Sequence, residues 1–184
     1  MKTGIVIYDG FAHFEVSILS YLMKTKGDIL TIAKNSDEVI SEEGFIVKPH
    51  KTISESLVDE LDVLILPGGT EEEIINNVEL KNLINKFNYY NKVIGAICSS
   101  VLVLAESGVL QGREFTSSIP EDEFLKYKNI TFIDKNVVIS NNIITAKANG
   151  YVDFAIEVGI QIGLFENEDD MNETIDFFKN FKSF

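Results

Sequence analysis

The chain has 184 residues, 16 Lys or Arg against 29 Asp or Glu for a formal charge of −13, and one cysteine with two histidines. The length suits one domain with one core, and 45% hydrophobic residues with only three prolines exclude a disordered chain or a long linker. The acid surplus argues against nucleic acid and anionic membrane surfaces as partners, one cysteine excludes an internal disulfide framework, and Cys98, His13 and His50 are too few for a structural zinc.

Met1-Lys2-Thr3 runs directly into an apolar, β-branched stretch rather than a secretory leader. No segment reaches the ~18 apolar residues of a membrane helix. The expected address is the cytoplasm. A first strand is read over 4–8, closed by the turn pair Asp9-Gly10, then a helix over 12–26 with Phe14, Ile18, Leu19, Leu22 and Met23 at helical spacing. Gly27 ends that helix and a second strand follows over 28–34. Residues 39–48 read as a hairpin laid on a sheet edge.

Residues 61–66 form a continuous apolar run, the pattern of a strand buried on both faces of a parallel sheet. It stops at Pro67-Gly68-Gly69-Thr70. Helices are read over 71–76 and 80–90, a second buried strand over 92–97, and an apolar helix over 99–106. The later chain carries β pieces at 130–132, 137–140 and 143–146, then helices over 151–165 and 168–181. The aromatic tail Phe177, Phe178, Phe181 and Phe184 is expected to pack on its own domain. Strand and helix alternate without repeats, so the expectation is one α/β domain over 1–184 with a mainly parallel sheet.

Ligands of such sheets gather beyond the carboxyl ends of the strands, and two of those ends have unusual chemistry. The paired glycines Gly68 and Gly69 allow backbone close to a ligand, although a Pro-Gly-Gly turn alone is only a turn. In Gly95-Ala96-Ile97-Cys98-Ser99-Ser100 a strand turns into a helix at a nucleophile, flanked by residues small enough for a tight elbow. A helix N-terminus there favours a thiolate, whereas a lone cysteine is as readily a buried small hydrophobe. Glu15 lies one turn past the first strand, on the same sheet edge. A carboxyl beside a thiolate is pushed toward its protonated form and can donate to sulfur.

These residues resemble the DJ-1/PfpI superfamily of the class I glutamine amidotransferase-like fold. The likeness rests on Glu15, on the strand and Pro-Gly-Gly element ending at Gly69, and on Ile94-Gly95-Ala96-Ile97-Cys98. It extends through Leu110-Gln111-Gly112-Arg113 to Thr116 and to Ala148-Asn149-Gly150-Tyr151-Val152-Asp153-Phe154-Ala155. The resemblance implies a flavodoxin-like three-layer sandwich with a nucleophile elbow. It also implies Cys98 as the reactive cysteine, Glu15 as the protonated carboxyl beside it, and the N–H groups of Gly69 and Ser99 as an oxyanion hole. It further implies a homodimer, with no cofactor and no metal.

The family holds glyoxalase- and deglycase-type proteins, isonitrile hydratases, peptidases, oxidation sensors and holdase chaperones, so the fold does not choose the function. Two departures narrow the choice. Ser99 stands where the peptidase branch has histidine, and Thr116-Ser117-Ser118 has none where the DJ-1 branch has one. Isonitrile hydratases typically carry Asp at the position of Glu15. Regulators with this domain append a helix-turn-helix module, for which the chain up to Phe184 has no room. His13 should point away from a Glu15–Cys98 pair, and His50 falls in an edge loop.

The expected activity is therefore attack of Cys98 on a small electrophile such as an aldehyde or isonitrile, with Glu15 moving the proton and no histidine base. The alternative is a sensor whose low-pKa, accessible Cys98 is oxidised to sulfinic acid. The partner is a small substrate or oxidant. Peptidase activity is disfavoured.

Overall fold

The computed structural model describes residues 1–182. Eleven strands occur among them: β1 Lys2–Val6, β2 Asp28–Ala33, β3 Val39–Ile40, β4 Ile46–Val47, β5 Lys51–Thr52, β6 Val63–Leu66, β7 Val93–Ile97, β8 Arg113–Phe115, β9 Ile130–Phe132, β10 Val137–Ser140 and β11 Ile143–Ala146. The α-helices are α1 Phe14–Lys24, α2 Val78–Tyr89, α3 Val101–Glu106, α4 Tyr151–Gln161 and α5 Glu168–Phe178.

Seven strands form the central sheet in the order β10-β11-β7-β6-β1-β2-β5. Every neighbouring pair is parallel except β10 with β11. Helices α1 and α4 pack together on one face, and α2 packs with α3 on the other. Both faces are thus covered, which is why Val63, Leu64, Ile65 and Leu66 are all buried without alternation. Each fully buried Leu or Phe of such a core contributes roughly 2 kcal/mol by removal from water. No helix among the described residues is long and apolar enough to cross a membrane.

Several bounds depart from expectation, each for an identifiable reason. Helix α1 starts at Phe14 rather than residue 12, because the Glu43 carboxylate accepts the N–H groups of His13 (3.1 Å) and Phe14 (2.8 Å). That cap comes from a loop about thirty residues away in sequence. The helix expected over 71–76 is a single 3₁₀ turn, Glu71–Glu73, and Asn77 starts α2 by accepting the N–H of Leu80 at 2.8 Å. The hairpin β3–β4 is a separate two-stranded sheet rather than an edge of the main one. The edge is β5, two residues paired with the end of β2. Helix α5 ends at Phe178, and Phe177 and Phe181 are 55% and 90% exposed rather than packed on the domain. Phe178 does pack against the core, and Phe184 lies outside the described residues.

Candidate active site

Taken in chain order, the parallel strands β1, β2, β6, β7 and β11 stand in the spatial order 2-1-3-4-5. Strand order reverses between β1 and β6, and the crevice beyond those carboxyl ends is where an open α/β sheet binds its ligand. Glu15 follows β1, Gly68 and Gly69 follow β6, and Cys98 follows β7.

Backbone hydrogen bonds knit the first two strand ends together. The N–H of Ala12 donates to the Gly68 carbonyl (2.9 Å), the N–H of Thr70 to the Gly10 carbonyl (3.1 Å), and Phe11 forms a β-bridge with Gly69. The approach is close enough to demand glycine. A Cβ on Gly69, whose φ is +118°, would stand 2.0 Å from the Gly10 carbonyl oxygen. A Cβ on Gly68 would stand 2.6 Å from the Cβ of Cys98 and 2.9 Å from Glu15 Oε2. Gly68 is therefore the spacer between the carboxyl and the cysteine. Its N–H donates to Glu15 Oε2 at 2.7 Å, which holds a carboxyl that is only 2% exposed.

Cys98 sits in the left-handed region at φ +62°, the strained turn of a nucleophile elbow. Ser100 holds that turn. Its hydroxyl accepts the N–H of Ile97 (3.2 Å), and it lies 2.7 Å from the Leu66 carbonyl and 2.8 Å from that of Ile97. The elbow is thereby tied to the end of β6.

Burial holds the Glu15 carboxyl above its ordinary range, against the stabilising N–H of Gly68. Burial, and next the Glu15 charge, push the Cys98 thiol up to about 11, while the Ser118 hydroxyl and Ser99 N–H favour the thiolate. Burial thus outweighs the pull that a helix N-terminus exerts toward the thiolate. The turn at Cys98–Ser100 is 3₁₀ and α3 has only six residues, so little dipole opposes the loss of water. Cys98 and Glu15 lie on either side of Gly68 and each influences the other's titration. The Glu15 charge raises the thiol, and the Cys98 side chain in turn favours the Glu15 carboxylate, so the thiol keeps the proton.

Gly69 and Ser99 come together as expected, but with a side chain between them. The Gly69 N–H donates to Ser99 Oγ (3.1 Å), and the Ser99 hydroxyl donates to the Gly69 carbonyl (2.9 Å). Two further groups at the site were not read from the sequence. Tyr8, buried, donates its phenol proton between the carbonyls of Pro67 (2.9 Å) and Gly68 (2.8 Å), which fixes the Gly-Gly turn. Burial keeps that phenol protonated far beyond the usual tyrosine range. The Ser117 hydroxyl donates to the Cys98 carbonyl (2.7 Å), from a segment noticed in the sequence only for lacking histidine.

A family model described as the DJ-1/PfpI family matches residues 1–159. The chain belongs to the DJ-1/PfpI family. It is 35% identical over 138 residues to an uncharacterised protein of Methanocaldococcus jannaschii, covering 72% of this chain and 66% of that one. It is 29% identical over 152 residues to a deglycase of Thermococcus kodakarensis, covering 82% of this chain and 92% of the deglycase. The chain thus spans just under two thirds of the first relative and nearly all of the second. Among solved structures, a DJ-1 superfamily protein of Agrobacterium tumefaciens superposes with a TM-score of 0.87 at 22% identity, over 99% of this chain and 100% of that one. That likeness shows the shared fold.

His13 lies at the start of α1, its ring 5.2 Å from that of Phe45 and 6.2 Å from that of Phe11. His50 lies before β5, its Nδ1 accepting the N–H of Thr31 at 3.1 Å. Neither is among the hydrogen-bond partners of Cys98 or Glu15.

Proposed function

We propose that this chain is a cysteine-dependent enzyme acting on a small electrophilic carbonyl compound, of the glyoxalase or deglycase kind, with Cys98 as nucleophile and Glu15 as proton carrier. The observation that carries this reading is the buried Glu15 carboxyl, held at 2.7 Å by the Gly68 N–H and set across Gly68 from Cys98 at a strand end. The deglycase among the relatives supports the choice of substrate class.

In the first step Glu15 takes the thiol proton as the sulfur lone pair adds to the carbonyl carbon of a 2-oxoaldehyde. The S–C bond forms, the π pair moves onto oxygen, and the N–H of Ser99 faces that developing anion. The Gly69 N–H joins it once the Ser99 hydroxyl rotates away. Glu15 then returns its proton to the oxygen, completing a thiohemiacetal. One carboxyl serves as base and then as acid, so an imidazole is unnecessary. A carboxyl whose pKa is raised by burial suits both roles better than a solvated one.

The test is turnover of methylglyoxal, glyoxal and an isonitrile by wild type, Cys98→Ser and Glu15→Gln, with far-UV circular dichroism as the folding control. Loss of carbonyl turnover in both variants is the expected result. Unchanged rates in both overturn the reading, and isonitrile turnover alone reassigns the substrate. The sensor alternative rests on oxidation of the same Cys98, for which the chain has no second cysteine to resolve a sulfenic acid. Two oxygens gained at Cys98 under mild peroxide, without turnover of any substrate, would favour it. The reading includes a homodimer in the cytoplasm, to be checked by light scattering and by cell fractionation.

A further inference from the structure

Both N–H groups of the Gly-Gly turn are engaged by side chains. The Gly68 N–H donates to Glu15 at 2.7 Å, and the Gly69 N–H donates to Ser99 Oγ at 3.1 Å. The Ser99 hydroxyl donates in turn to the Gly69 carbonyl at 2.9 Å, so one side chain occupies both polar groups of a single glycine. Gly69 itself has no freedom to leave this arrangement. It forms a β-bridge with Phe11, and the neighbouring Thr70 N–H donates to the Gly10 carbonyl at 3.1 Å. The Ser99 hydroxyl, by contrast, moves by rotation about one side-chain bond. Its link between the elbow and the end of β6 is also duplicated. Ser100 makes the same tie through the Leu66 carbonyl at 2.7 Å, from a fully buried position.

Resting on the reading of Cys98 as the nucleophile, we propose that the Ser99 side chain is a positioning residue that latches the oxyanion hole shut through Gly69 until a reacting oxygen displaces it. As the S–C bond forms, the carbonyl π pair moves onto oxygen, and that anion competes with the neutral hydroxyl for the Gly69 N–H. A hydrogen bond to an ionised acceptor is about twice as strong as one to a neutral acceptor, so the anion takes the donor and the hydroxyl turns away. Each addition to a carbonyl thereby costs the neutral bond that is given up. A reaction of Cys98 that builds no anion at this place, such as alkylation, leaves the latch closed and bears no such cost. Ser99 is in this way a device of selectivity toward the kind of electrophile, acting on the hole and not on the thiol.

The experiment compares wild type with Ser99→Ala in methylglyoxal turnover and in iodoacetamide alkylation of Cys98 followed by intact mass, with amide hydrogen exchange at Gly69 read by NMR. Ser99→Ala is expected to raise kcat about fivefold with KM little changed, the size of one neutral hydrogen bond no longer given up in the transition state. Exchange at Gly69 should quicken in Ser99→Ala and stay slow in Ser99→Thr, which keeps the hydroxyl. The alkylation rate should not follow the rise in kcat. A kcat that falls or stays level overturns the proposal, because a merely structural tie gives no gain when cut. Unchanged exchange at Gly69, or alkylation that rises as much as kcat, overturns it too. If wild type does not turn over methylglyoxal, the proposed substrate class fails. The latch is then judged by how fast acetaldehyde, adding to Cys98, protects it from iodoacetamide: faster protection in Ser99→Ala supports it and equal protection overturns it. Should Ser99→Ala fail to fold, Ser99→Gly makes the same comparison.

Discussion

Glu15 on α1 and Glu157 on α4 stand on helices that pack against each other, and burial is the first cause holding each carboxyl above its ordinary range. Their surroundings diverge from there. Glu157 faces the like charge of Asp153 one turn earlier and the cation of Lys179, which itself pairs with Asp153 at 2.5 Å. Glu15 faces the Gly68 N–H and the thiol of Cys98. A perturbed carboxyl is thus no mark of function by itself. What separates the two is a cysteine set across Gly68, brought there by a different strand.

The sharpest way to break this contrast is to push Glu15 and Cys98 apart without altering either side chain. Gly68→Ala puts a methyl between Cys98 and Glu15, at the 2.6 and 2.9 Å approaches. Misplacement on that scale is expected to lower carbonyl turnover about 100-fold or more, measured as kcat/KM alongside circular dichroism. Next in size, Glu15→Gln removes the charge that is the second cause of the raised thiol. The Cys98 titration, followed by thiolate absorbance, should then fall below about 11. A titration that stays in place would show that the two groups are not coupled.

The same substitution has a signed effect on stability. The raised carboxyl binds its proton more tightly folded than unfolded, so its contribution is fully present below the unfolded value and is lost as pH rises through the folded one. The urea midpoint of Glu15→Gln should therefore gain on wild type as pH rises through the folded value of Glu15. The smallest effect belongs to Glu157→Gln. Turnover is expected to be unchanged, with stability within about 0.5 kcal/mol of wild type. A loss of turnover there would erase the distinction between the two glutamates.

The parallel strands were the most legible part of the fold. Val63–Leu66 and Val93–Ile97 lie inside the apolar runs read from the sequence, because strands covered on both faces need no polar alternation. Lys51–Thr52 and Arg113–Phe115 went unread, since two or three residues bearing charge carry no periodicity and become strands only through a neighbour. The start of α1 was equally hidden, as its cap is Glu43 from a distant loop. In the site, Cys98 and the Gly-Gly turn announced themselves as breaks at strand ends. Glu15 was one acid among 29 and stood out only because it falls on the same sheet edge as those two strand ends. Tyr8 and Ser117 gave no local signal of the contacts they make.

The sequence by itself determined the fold class, the parallel core and the position of a lone cysteine at a strand end, because hydrophobic period and turn chemistry are local properties. Tertiary structure decided what surrounds that cysteine. Burial is a property of the assembled layers, and it set the proton affinities of Cys98 and Glu15 against the local pull of a helix start. Contacts between residues 53 apart, such as Glu15 with the Gly68 N–H, exist only once β1 and β6 lie side by side.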